Sequence, residues 1–292
     1  MVNNIHWFPG HMAKARRLIE EKIKLIDIVI EIVDARIPYS SKNPVMNQLI
    51  HNKKKIIVMS KVDLADAELT KQWSEFYREK GYHVVASNLL DFKEFNKVVN
   101  QVDEELKEKR ERDAKKGLKP RPIRALIAGI PNVGKSTFIN KMAKKNSAKT
   151  GDKAGVTKAL QWIKVANDFE LLDSPGVLWP KLDDQQVALN LALTGAIKDE
   201  ILPKEDICIA ALKFMNSYYQ KPFYKRYNIE SMDNDDIDSI VRVLESIGRQ
   251  RGCLIKGNEV DFDKVYDLVL KEVKNNSIAR MTFDRDFTVG DD

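Results

Sequence analysis

Residues Gly129-Ile130-Pro131-Asn132-Val133-Gly134-Lys135-Ser136 fit the pattern G-x-x-x-x-G-K-[ST]. An apolar run, Ile123 to Ile130, leads into them, and a helix-compatible run, Ser136 to Met142, follows. The motif needs that strand–loop–helix context, so this stretch fixes three elements of the fold at once. Glycines let backbone N–H groups converge on one concavity, and the helix N-terminus adds partial positive charge, so a polyphosphate can be held there. Asn132, Val133, Gly134, Lys135, Ser136 and Thr137 form the expected phosphate-binding set. Within it Lys135 would reach the outer phosphates and the Ser136 hydroxyl would ligate Mg²⁺.

Around this loop the chain alternates. Asp27 to Asp34 is a nearly continuous β-branched run, the mark of a buried parallel strand. Lys55 to Ser60 is a second apolar strand, and a helix follows from about Ala65 to Lys80, stopped by Gly81. Val84 to Ala86 is a third strand, ending at Ser87-Asn88, and a helix from about Phe92 to Ala114 comes next. After the phosphate loop, strands are expected at Gln161–Val165 and Phe169–Leu172, leading to Asp173-Ser174-Pro175-Gly176. Strands alternating with helices predict a mostly parallel sheet with helices on both faces. From about residue 203 the pattern becomes helical, with periodic apolar residues at Ile207–Tyr218, Ile237–Ile247 (ended by Gly248) and Val265–Val273 behind an Asp261 N-cap. The reading is an α/β domain over 1–185, a connecting helix or linker over 186–203, and a small all-helical C-terminal domain over 204–292.

The 292 residues allow one large or two modest domains. The net charge of +6 is unevenly spread: residues 1–199 carry 35 Lys and Arg against 25 Asp and Glu, whereas residues 200–292 carry 14 against 18. A basic body suits an anionic partner, nucleotide or nucleic acid. The charge-dense stretch 105–124 reads as a linker or solvated helix end, with contact to RNA phosphates as the alternative. Cys208 and Cys253 show no metal-binding spacing and read as buried small residues in a reducing compartment. No apolar run approaches the roughly 20 residues of a membrane span, and the N-terminus lacks a signal-peptide pattern. The expectation is a cytoplasmic protein with no membrane partner.

Two further motifs narrow the class. At Asp173-x-x-Gly176 an acidic strand end can hold Mg²⁺ through water, and the Gly176 N–H can meet a γ-phosphate. Thr157, lying between the two motifs, can complete the metal shell. Ser60-Lys61-Val62-Asp63 resembles the guanine-reading Asn-Lys-x-Asp: a carboxylate at Asp63 can accept from guanine N1–H and the 2-amino group, while the Lys61 stem lies over the purine ring. This base motif precedes the phosphate loop, whereas ordinary GTPases place it after.

With Trp7-Phe8-Pro9-Gly10-His11-Met12, Asp34-Ala35-Arg36, Gly155-x-Thr157 and the motifs above, residues 7 to 176 resemble the circularly permuted GTPases, and closely the bacterial ribosome biogenesis GTPase A family. The resemblance implies a permuted P-loop GTPase domain followed by the helical domain. It further implies GTP hydrolysis, GTP and GDP as ligands, and a late precursor of the large ribosomal subunit as partner, with rRNA and ribosomal proteins as targets. Ser60 departs from the usual Asn, which predicts retained guanine preference with weaker affinity. Ser87 and Asn88 stand in for a Ser-Ala-Lys segment that meets guanine.

Small GTPases position water with a Gln after Asp-x-x-Gly; here that position is Val177, and the resemblance implies His11 instead. Asn132 matches the position at which related GTPases hold K⁺. Candidate RNA contacts are Arg16, Arg17, Arg242, Arg249, Arg251 and Lys256, chosen on charge alone. The alternative to an enzyme is a nucleotide-sensing RNA-binding module with little hydrolysis, because the Gln is missing.

Overall fold

The structure, a computed structural model, describes residues 17–50, 53–119, 121–146, 161–166, 169–173, 184–197 and 202–288. These fall into two compact units. One holds the described residues before Asp184 together with those from Asp284 onward; the other is Asp184–Phe283.

The first unit is built on a six-stranded sheet in the order β3-β2-β1-β4-β6-β5. Its strands are β1 (Ile28–Asp34), β2 (Lys54–Ser60), β3 (His83–Ala86), β4 (Ile123–Ala128), β5 (Gln161–Ala166) and β6 (Phe169–Asp173). All neighbours run parallel except β5, which pairs antiparallel with β6. β1 is buried along all seven residues, as its unbroken β-branched run predicts for a central strand covered on both faces.

Successive side chains on β1 and β2 point to opposite faces. On one face Val29, Val33, Ile57 and Met59 pack against three helices: α1 (described at 17–22), α2 (Pro44–Ile50) and α3 (Ala67–Glu79). The alternate residues Ile28, Ile30, Ile32, Ile56 and Val58 are equally buried. Of the remaining helices, α4 (Phe92–Lys115) packs on β2 and β3 and α5 (Lys135–Asn146) on β5 and β6. The rings of Phe95 on α4 and Phe138 on α5 lie 5.3 Å apart. Asp66 caps α3 through the N–H groups of Glu68 and Leu69, and Asp91 caps α4 through those of Lys93 and Glu94.

The chain runs outward from β1 through β2 to β3, then returns to lay β4 on the other side of β1. The strand order therefore reverses between β1 and β4, and a crevice at the carboxyl ends of the strands is the expected ligand site at such a switch point. Asp34, Ser60, Gly129 and Asp173 all stand at or just beyond those ends.

The second unit contains α6 (Gln185–Leu193), α7 (Lys204–Tyr218), α8 (Gln220–Tyr227), α9 (Ile237–Arg251) and α10 (Phe262–Lys274). Ile207, Leu212 and Met215 of α7 and Val265, Val269 and Val273 of α10 are buried in its core. Asp184, Asp236 and Asp261 cap their helices with side-chain acceptors. Both cysteines are buried and unbonded, and burial pushes the Cys208 thiol up to about 12, so it is inert.

Within 186–203, read as a connecting helix or linker, Gln185–Leu193 is a helix with Val187, Leu191 and Ala192 buried, and it belongs to the second unit. Two expectations need correction. The C-terminal domain does not run to the end of the chain, because Asp284 onward belongs to the first unit. Gly248 does not end its helix; α9 continues to Arg251 and Gly252 supplies the left-handed cap at φ +69. Among the described residues no helix is long and apolar enough to cross a membrane.

Candidate nucleotide site

The phosphate loop is shaped by close approach of β1. A Cβ on Gly129 would stand 2.5 Å from the Ile32 carbonyl oxygen, and the residue has φ +149, so only glycine passes there. Asn132 takes the left-handed conformation at φ 60, which Asn tolerates better than most residues. Gly134, at φ +109, packs toward Leu89 and Ser60. From Lys135 the chain enters α5, so the helix N-terminus faces the concavity.

Lys135 is buried, and its Nζ donates to the carbonyls of Gly129 and Ile130 at 2.8 and 2.7 Å. Burial lowers its pKa to about 8, against the opposing pull of the Asp173 carboxylate. Ser136 and Asn132 are exposed and Thr137 is half-buried. Asp173 is buried at the end of β6, the strand that pairs with β4.

The base motif meets this loop directly. The Ser60 hydroxyl oxygen lies 2.6 Å from the Val133 carbonyl and 3.0 Å from the Val33 carbonyl. With one proton it donates to one of them at a time, and the shorter contact is to the phosphate loop. Lys61 has φ 56, a conformation costly for a non-glycine residue, and its Nζ donates to Asp34 Oδ2 at 2.8 Å. Asp63 is half-buried. Ser87 follows β3, its N–H donating to the Met59 carbonyl at 2.9 Å, and its buried hydroxyl has no partner among the described residues. Such an orphan beside the base motif fits a polar ligand or a water. Asn88 turns its Oδ1 onto the Leu90 N–H at 2.9 Å.

In the sequence Asp34 stands out only as part of Asp34-Ala35-Arg36, yet it is the hub here. It is fully buried, takes the Arg36 side chain through Nε and Nη2 at 3.0 and 2.8 Å, and anchors Lys61. Burial pushes its carboxyl up, but the Arg36 and Lys61 cations prevail and hold it down at about 2. The available signal was an Asp-x-Arg at the end of an apolar strand whose parallel neighbour ends in the base motif.

His11, Arg16, Thr157 and Gly176 lie outside the described residues. The described basic candidates fall in both units, Arg17 in the first and Arg242, Arg249, Arg251 and Lys256 in the second. Arg17 pairs with Glu21 at 3.3 Å. Arg242 and Arg249, seven residues apart on α9, share a face, but Arg242 is paired with Asp236 at 3.2 Å. Arg251 turns away to the Arg226 carbonyl and the Tyr227 ring, and Lys256 is exposed beyond the helix.

Among the described residues no group of three or more His, Cys, Asp or Glu is arranged to hold a metal by itself. Ser136, next to Lys135 in the chain, and Asp173, whose carboxylate acts on Lys135, are of the type that fits a cation taking most of its ligands from phosphate oxygens and water, as Mg²⁺ does.

Residues 124–240 match a family model described as 50S ribosome-binding GTPase. Ribosome biogenesis GTPase A of Bacillus cereus is 50% identical over 280 residues, covering 96% of this chain and 93% of that protein. The chain belongs to the ribosome biogenesis GTPase A family. The member from Thermotoga maritima is 32% identical over 279 residues, covering 96% of this chain and 94% of its own length. A solved structure described as GNP-bound YlqF from T. maritima is 29% identical, covers 93% of this chain and 98% of that one, and has a TM-score of 0.62. Its GDP-bound counterpart covers 92% and 99% with a TM-score of 0.64. The family model begins at the phosphate-loop strand and leaves the base motif at 60–63 outside its span, as a permuted order requires. As a member of the ribosome biogenesis GTPase A family, the protein is a GTPase with a role in ribosome assembly, a guanine nucleotide is its ligand, and Mg²⁺ is the metal that such GTPases use.

Proposed function

We propose that this GTPase acts late in maturation of the large ribosomal subunit, docking in its GTP form and leaving on hydrolysis, in the cytoplasm. The observation that carries the reading is the Ser60–Val133 contact of 2.6 Å, which joins the base motif to the phosphate loop despite their reversed order in the chain. Lys61 lays its stem over the purine and Asp63 accepts from N1–H and the 2-amino group, while Ser87 and Asn88 approach guanine O6. Val133, Gly134, Lys135 and Thr137 hold the phosphates. Ser136 and Thr157 would hold Mg²⁺, with Asp173 acting through water, and Asn132 would hold K⁺; such cations would supply neutralisation of charge developing on the phosphates. His11 orients or deprotonates the attacking water, since Val177 cannot.

The family model's description, 50S ribosome-binding GTPase, supports a large-subunit partner, and the relatives' shared name supports a role in ribosome assembly. Its rRNA contacts are drawn from Arg16, Arg17, Arg242, Arg249, Arg251 and Lys256, and binding weakens as salt rises. The deciding experiment is cosedimentation with immature and mature large subunits under GDP or a non-hydrolysable GTP analogue, with turnover measured alongside in KCl and in NaCl. Binding favoured by the analogue, turnover stimulated by the subunit, faster rates in KCl and loss of stimulation in His11→Ala are expected. Equal binding under both nucleotides would overturn the docking cycle.

A further inference from the structure

The loop joining β1 to α2, residues 35–43, is buried throughout except for half-buried Tyr39. Loops ordinarily lie at the surface, because buried backbone groups must all find partners. Part of the pairing here is internal: Ile37 N–H donates to the Asp34 carbonyl, Ser41 N–H to that of Ile37 and Lys42 N–H to that of Tyr39. The N–H groups of Tyr39 and Ser40 are paired from the far end of the chain. Asp284 Oδ2 accepts from both, at 2.7 and 2.8 Å, and its Oδ1 accepts from the Ser40 hydroxyl at 2.5 Å.

Three donors converging on one buried carboxylate match its two acceptor oxygens; an amide could keep both N–H bonds only by donating its NH₂ to the Ser40 hydroxyl, and all three bonds would lose the carboxylate's charge. The segment is held by α3 as well. Trp73 Nε1 donates to the Asp284 carbonyl at 3.0 Å, the Phe287 ring lies 4.6 Å from that of Trp73, and Tyr77 donates its hydroxyl to the Pro38 carbonyl at 3.1 Å.

The inner side of the same loop supports the base motif. Ser41, next to Ser40, accepts from the Asp34 N–H through its Oγ at 3.0 Å and donates to the Ile37 carbonyl at 2.6 Å. Asp34 in turn anchors Lys61. We propose that Asp284 is a positioning residue for guanine recognition: it fixes loop 37–41, the loop fixes Asp34, and Asp34 fixes the lysine that covers the purine. The inference rests on the reading of Lys61 and Asp63 as the base reader. It makes guanine affinity depend on the residue at which the chain returns from the helical unit.

The test is dissociation of a fluorescent GDP, chased with excess GDP in a stopped-flow instrument, for the full-length protein. Asp284→Asn is expected to speed release about tenfold, the scale of one lost hydrogen bond to a charged group. Release unchanged in Asp284→Asn overturns the proposal. In a Lys61→Met background the same change should add little, because coupled residues are non-additive; equal effects in both backgrounds overturn the route through Lys61. Phe287→Leu, which loosens the segment but keeps the carboxylate, should lower the urea midpoint without speeding release. If it speeds release as much as Asp284→Asn, the carboxylate has no positioning role. Should Asp284→Asn fail to fold, Ser40→Ala removes one donor and is expected to give a smaller acceleration, its absence counting against the idea. Asp63→Asn, expected to exchange guanine for xanthine preference, separates the two readings. Its failure removes the base reader and this inference together; its success with unchanged release in Asp284→Asn removes this inference alone.

Discussion

Ser60 and Val133 stand 73 positions apart in the chain, and the hydroxyl of one donates to the carbonyl of the other at 2.6 Å. In the guanine motifs that Ser60-Lys61-Val62-Asp63 resembles, a longer Asn occupies the first position. Serine can make this contact because Asp34 and Ser60 are register partners and the loop after β4 folds tightly over β1. Ser60→Ala would leave the buried Val133 carbonyl without this donor and the base motif without its tie to the phosphate loop. GDP affinity should fall about 3- to 10-fold, near 1 kcal/mol, in a fluorescence titration. Unchanged affinity would mean that the contact does not couple the two motifs.

Gly129→Ala meets two obstacles at once. Its Cβ would lie 2.5 Å from a backbone oxygen of the central strand, which cannot swing aside, and its φ of +149 is foreign to L side chains. Gly81 shares a positive φ of +84 but has nothing within 4 Å of the added carbon. Gly81→Ala should therefore cost only about 1–2 kcal/mol of backbone strain. Gly129→Ala should exceed about 4 kcal/mol or abolish folding of the unit. Denaturant titration of the two variants side by side gives the comparison, and equal losses would show that strand approach is not what demands glycine at 129.

Lys135 begins with a pKa near 8 because burial disfavours its charge. Phosphates brought beside it would favour the charged form, so its pKa rises on binding. Near pH 8 about half of the free protein has a neutral lysine, and GDP binding should take up about half a proton there, and almost none at pH 6.5. Calorimetry in buffers of different ionisation enthalpy reads that number. An uptake of zero at pH 8 would place the ammonium out of reach of the phosphates.

Much of the fold was legible because its strands are buried on both faces and therefore read as unbroken apolar runs. β1 and β2 could hardly be anything else. The order of motifs disclosed the permutation, since Lys61 and Asp63 precede Lys135 while the strand–helix alternation continues on both sides. Other features left no local trace. Asp284 and Phe287 sit in a polar tail with no periodicity, and their partners Tyr39, Ser40 and Trp73 are more than 200 residues away. Helix α8, Gln220–Tyr227, is eight residues long and carries Pro222, too short for a 3.6-residue period to show. The role of Asp34 emerges only when parallel pairing brings it level with Ser60.

Asp34 should shape acid stability. Its carboxyl titrates near 2 in the fold, below the ordinary value of 3.8, because two cations outweigh the penalty of burial. A depressed folded pKa adds stability that is fully present above about pH 4 and is lost as pH falls through 2. The contribution is about 2 kcal/mol. Asp34→Asn should be less stable at pH 7, and its stability should fall less steeply between pH 4 and 2, as followed by urea midpoints. Parallel curves for the two proteins would locate the acid sensitivity elsewhere.

Gly248 sets two effects against each other. It lies inside α9, where exchanging glycine for alanine ordinarily gains about 1 kcal/mol of helix propensity. Here the added Cβ would meet Val260 Cγ1 at 2.5 Å and Val265 Cγ2 at 3.0 Å. Neither valine can yield easily: Val260 is bridged to Leu254 and Val265 is buried in α10. Overpacking of this kind costs about 1–3 kcal/mol, so the clash should prevail over propensity. Gly248→Ala is expected to lower the stability of the helical unit, visible as reduced protection of α9 and α10 amides in hydrogen exchange, with exchange in the β-sheet unit unchanged. Greater protection of α9 would show that the valines repack and that a small residue at 248 is not what lets α10 approach.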